Sequence, residues 1–226
     1  MNPAGFPIVL AFTLLAVAFA VAAVESLSLV RATYWYVAHS CCLIAVYVTY
    51  AVAAGNRYLF LWAGLCVVNT WILPFLQGGL KYTAVRVPGE ERSSHLATWL
   101  LVICLLASLA AVARFSRLTL VVTGSPLDNL GSAFSANLLM ALLLFLYGTL
   151  ILLTHRHLYK LALGLLVMAA GAHLTLVQTA PSFFTMVEIE VLTKVIGTVF
   201  AMLYAARLLA ERFGSADAAR LLRAPD

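Results

Sequence analysis

The stretches 6–24, 33–54, 58–78, 96–113 and 131–153 hold no Asp, Glu, Lys or Arg. Each is about as long as the roughly 20 helical residues that cross a bilayer. Two more runs, 158–179 and 183–207, are nearly as apolar. Lipid offers no partner to a bare peptide group, so a chain like this crosses as helices or as a closed barrel. The alternating pattern of a barrel strand is absent, which leaves helices. Seven spans are expected in a single all-α, polytopic transmembrane domain over residues 1–226. It has a four-helix part (1–114) and a three-helix part (131–209).

Composition agrees. Hydrophobic residues make up 64% of the chain and charged ones 10%, too few to cover a soluble domain of 226 residues. The run from Phe6 to Val24 lacks the basic start of a signal peptide and is long for its apolar core. It is read as a retained first helix. The linkers Gly55-Asn56-Arg57 and Ala180-Pro181-Ser182 are short enough to make neighbouring helices antiparallel. Lys81 to His95 reads as an exposed loop, and Phe115 to Thr123 as an extended piece at the membrane surface.

The net charge is +5. In a membrane protein that excess orients helices, so nucleic acid is not an expected partner. With seven spans, Arg31, Lys81, Arg86, Arg92, Arg156, Lys160, Arg207, Arg212, Arg220 and Arg223 share one side. Arg57, Arg114 and Arg117 lie on the other. The positive-inside rule then puts the N-terminus outside and the C-terminus in the cytoplasm. The expected location is a bacterial cytoplasmic membrane.

Polar residues at membrane depth are costly and so are functional candidates. Lys194 is expected near the midplane of the last span, with Glu188 and Glu190 in its outer half. Glu190 and Lys194 are one helical turn apart, in the favourable acid-first order. They suit a proton path, or a structural charge pair. Asn69, ahead of Pro74, and Asn137 are expected as interhelical hydrogen bonds. Met168 to Ala172 is a small-residue patch suited to close helix packing. His39 and His173 lie at different depths, which speaks against haem ligation by the two. His155 and His157 are expected to be solvated beside Arg156. Cys41, Cys42, Cys66 and Cys104 lack metal-site spacing and read as small buried hydrophobes, the first two on different sides of one helix. No nucleotide-binding glycine loop or HExxH is present, and no cofactor is expected.

Leu61-Trp62 and Asn69 to Pro74 in the third span, Gly164 to Leu174, and Leu203 to Arg207 resemble the component E family of hydrogenase-4. The last three spans look like the K subunit of respiratory complex I. The resemblance implies a noncatalytic membrane subunit beside antiporter-like subunits, with hydrophilic redox subunits carrying the metals. It also implies proton movement through mid-membrane carboxylates, and here the chain departs from the pattern. Ala169 and Ala170 stand where an acid is expected, Lys194 replaces another, and Asn69 or Thr70 stands where component E can carry a Lys. Lys194, Glu190, Glu188, His173 and Asn69 are therefore the candidate path residues. A small self-contained transporter and a purely structural subunit are the alternatives.

Overall fold

The computed structural model describes residues 5–26, 28–54, 58–79, 128–179 and 186–213. They form six helices: α1 (Gly5–Glu25), α2 (Leu29–Ala54), α3 (Tyr58–Gly79), α4 (Asp128–Thr154), α5 (Leu158–Thr179) and α6 (Met186–Phe213). No strand occurs among the described residues. Five of the helices (α1, α2, α4, α5 and α6) are long and apolar enough to cross a membrane. The expected span 96–113, the loop Lys81–His95, the extended piece Phe115–Thr123 and Cys104 lie outside the described residues.

Local chemistry sets the helix ends. Pro7 sits in the first turn of α1, where its missing N–H costs nothing. The Ser28 carbonyl accepts the Ala32 N–H at 2.9 Å and so opens α2. The His157 carbonyl does the same for α5, accepting from Leu161 at 3.0 Å. Within the spans, the hydroxyls of Thr13, Thr33, Thr49, Thr70, Thr149, Thr175 and Thr198 donate to the carbonyl four residues back. A threonine that bonds its own helix costs little in lipid.

One apolar cluster draws buried side chains from all six helices. The closest seam is between α4 and α5. A Cβ on Gly148 would run into the Met168 backbone, and one on Gly171 into the backbone of Phe145 and Ala141. On Gly164 it would lie 2.7 Å from Ile151 Cγ2. Contact between backbones at this range needs glycine, so the small-residue patch around Gly171 serves the packing expected of it.

Helix directions follow from paired contacts. Phe19 stacks on Trp35 and His39 bonds Ala16, so α1 and α2 are antiparallel. Helix α3 runs back along α2, with Trp62 near its start meeting Tyr47 near the end of α2. Gly148 against Met168 and Gly171 against Phe145 make α4 and α5 antiparallel. Thr33 meets Tyr159 near the start of α2 and α5, while Trp62 joins Tyr47 to His173 near their ends. Hence α2 and α5 point one way, and α1, α3 and α4 the other. Gly79 and Asp128 accordingly lie at opposite ends of the bundle.

Candidate functional site

Lys194 lies on α6, whose inward face carries Val195, Val199, Met202, Leu203, Ala206 and Ala210 at helical spacing. The opposite face is open: Thr193, Lys194, Gly197, Thr198, Phe200, Ala201 and Tyr204 are all exposed. A Cβ on Gly197 would touch nothing within 4 Å. Phe200 and Tyr204 stack on each other along this face, with ring centroids 6.4 Å apart. Lys194 itself therefore stands on that open face and not among the core side chains. Val195, the next residue, is turned about 100° round the helix and packs on the core. Lys194 is the ninth residue of α6. Glu188 and Glu190 lie in the first two turns of α6, but their side chains fall outside the described residues.

The other candidates do not join Lys194. His173 projects from α5 towards α3 and meets the Trp62 ring edge-on, at 4.9 Å between centroids. Asn69 lies on α3, which runs on past Pro74 to Gly79; its side chain is outside the described residues. His39 is fully buried and turned to α1, with Nδ1 2.8 Å from the Ala16 carbonyl oxygen. A carbonyl only accepts, so Nδ1 carries the proton and Nε2 is left as a lone-pair acceptor. His39 and His173 thus face different helices and are not brought together. Among the described residues no group of three or more His, Cys, Asp or Glu is placed to hold a metal ion.

Sequence reasoning missed how many polar groups α2 turns inward. Thr33, Tyr36, His39, Ser40 and Tyr47 are all buried on one stripe. The Thr33 and Tyr159 hydroxyls are 2.7 Å apart. Tyr36 lies against His39, ring centroids 5.9 Å apart, and its hydroxyl reaches Ser40. Towards the other end, Tyr50 reaches Asn137. The signal was available: polar residues recur at 33, 36, 40, 47 and 50, a helical period hidden within an apolar run.

Asn137 is the interhelical bond expected of it. It is fully buried, and its Oδ1 lies 3.4 Å from Thr13 Oγ1 on α1. That hydroxyl already donates to Val9 O at 2.7 Å, and it has one proton. Turning the amide over resolves the conflict: Nδ2 then donates to Thr13, and Oδ1 faces Tyr50. Asn137→Val should cost about 0.6–2 kcal/mol, the usual range for such bonds in a bilayer. A double-mutant cycle with Thr13→Val, read by unfolding in bicelles, checks it; additive losses would mean that the two side chains do not interact.

Two surface expectations change. His157 is buried, not solvated, and His155 is half-buried; only Arg156 is exposed at this turn. The α4–α5 connection is so short that the chain folds its flanking residues under itself. Cys41 faces outward while Cys42 is buried, so the two do point to different sides, but only one is a core residue.

Burial, with Lys160 nearby, pushes the His155 imidazole down to about 4. Unfolded, it titrates near 6.5. Between these values the unfolded chain binds the extra proton, so this contribution to stability is complete above about pH 6.5 and is lost as pH falls towards 4. His155→Gln should therefore flatten the fall of the unfolding midpoint over that window. An unchanged pH profile in the variant would contradict it.

The chain matches no family model, no curated protein and no solved structure.

Proposed function

We propose that this protein is a noncatalytic membrane-arm subunit of a complex I-like hydrogenase or related oxidoreductase, resembling component E of hydrogenase-4. It would contribute to proton or cation movement, or anchor antiporter-like subunits. The observation that carries this reading is the placement of Lys194. At the centre of a bilayer a charge costs about 2.5–3.5 kcal/mol even on the lenient insertion scale. Lys194 stands on the outward face of α6, near the start of the apolar stretch Thr193–Arg212 and beside Gly197 and Ala201, where another helix can come close. A neighbouring subunit is the natural cover for such a face.

The seven-span, N-out, C-in topology belongs to the same proposal. Because α3 and α4 run the same way, the chain between Gly79 and Asp128 has to return to the opposite side of the bundle. The apolar run 96–113 is suited to that return. The ten-to-three split of basic residues favours a cytoplasmic C-terminus, and a bacterial inner membrane is the proposed location.

A tagged copy drawn from membranes in mild detergent tests the function. It should bring a large antiporter-like subunit together with hydrophilic nickel–iron and iron–sulfur subunits. Recovery only as a homo-oligomer, with transport activity in vesicles, would favour a self-contained transporter instead.

A further inference from the structure

We propose that the inner face of α2 lines a water-accessible polar pathway through the bundle, closed by the apolar layer Leu43–Val46 and able to carry protons when that layer is wetted. This stands on α2 and its neighbours alone, so failure of the subunit reading would leave it standing.

Two polar half-paths meet from opposite ends. One starts at the end bearing His155 and Arg156, with Tyr159 bonded to Thr33, and rises through Tyr36, Ser40 and His39. The other holds Tyr47 and Tyr50, with Asn137 beside Tyr50 and paired to Thr13 on α1. Between His39 and Tyr47 lie about 12 Å of helix at 1.5 Å per residue. There the same stripe presents only Leu43 and Val46, at most 3% exposed.

The polar atoms facing this column are not all satisfied by protein. Nε2 of His39, the Tyr47 hydroxyl and Nδ2 of Asn137 have no hydrogen-bond partner among the described residues, and all three residues are fully buried. An amide turned over at Asn137 satisfies Nδ2, but His39 and Tyr47 remain. Leaving such groups unpaired costs about 1–3 kcal/mol each, and water is the usual remedy where a site is polar on several sides. The two remaining orphans flank the apolar layer, one on each side. That is where the innermost water of each half-path would be held, by His39 Nε2 accepting and by the Tyr47 hydroxyl. A short apolar constriction between wet segments blocks conduction by excluding water. A proton crosses by hopping along the water chain: each water receives one proton and passes one on, with no net change in any side chain.

The test is proton flux in liposomes holding the purified protein and a pH dye, with the membrane potential clamped. The wild type should leak little more than empty vesicles. Leu43→Asn, which wets the layer, should raise flux about tenfold or more, as expected when a dewetted constriction opens. A folded Leu43→Asn protein with wild-type flux would overturn the proposal. A second measurement covers a variant that fails to fold. In a cysteine-free background, Ser40→Cys and Asn137→Cys should react with a membrane-impermeant thiol reagent, each from its own side of the membrane. If the reagent reaches neither in the folded protein, the core is dry and the proposal fails.

Discussion

Gly171→Ala should force α4 and α5 apart and destabilise the bundle by about 3 kcal/mol, the upper end of the usual overpacking cost. The added Cβ would meet backbone: the Ala141 carbonyl oxygen at 2.7 Å and Phe145 Cα at 2.8 Å. Backbone in a helix cannot swing aside as a side chain does, so the seam itself has to open. Gly148→Ala should behave alike, since its Cβ would lie 2.6 Å from both Cα and Cβ of Met168. Gly164→Ala should be milder, because its nearest obstacle is the Ile151 side chain, which can change rotamer. Gly64→Ala is the control. Nothing lies within 4 Å of a Cβ there, and alanine gains about 0.5–1 kcal/mol of helix preference over glycine. Unfolding free energies of the four variants in bicelles check the ranking. A Gly171→Ala protein as stable as Gly64→Ala would mean that the α4–α5 seam is wrongly placed.

The helices were legible because the cost of an unpaired peptide group in lipid leaves a long apolar run little choice. The run 158–179 was read with the bounds of α5; five others lie within about six residues of a helix, and 96–113 lies outside the described residues. The small-residue patch at Gly171 was legible for the same physical reason, close approach. Facing was harder to read. A soluble helix shows its inward side by apolar residues, but in a membrane both faces are apolar and that contrast vanishes. This is why the sequence alone did not tell which way Lys194 faces, and the fold turns it outward. His157 was assigned to water from its basic neighbours, although a tight turn buries it. The polar stripe of α2 was overlooked because tyrosines count as hydrophobic in composition, yet each brings a hydroxyl inward.

Lys194→Met should leave the isolated protein as stable as the wild type, within about 0.5 kcal/mol, while loosening the proposed complex severely. The first half follows from the fold. Among the described residues, the side chains that α6 buries in the core, Val199, Leu203 and Ala206, lie on its other face and do not change. The second half follows from electrostatics. A Lys194 covered at membrane depth needs a carboxylate or another acceptor, from α6 itself or from the covering helix, and removing the Lys would strand that group. Breaking one side of such a pair typically costs about 3–5 kcal/mol. At 1.4 kcal/mol per tenfold, association should weaken by roughly two to three powers of ten. The second variant, Glu190→Gln with Lys194→Met, locates the counter-charge. Glu190 sits one turn before Lys194, and if it is the partner the double variant should recover assembly. If the partner lies on another subunit, the double variant should stay as weak as the single one. Where assembly returns but proton coupling does not, the pair belongs to the ion path; where both return, it is a clasp. A Lys194→Met protein that loses several kcal/mol of its own stability would contradict the outward placement of this face of α6.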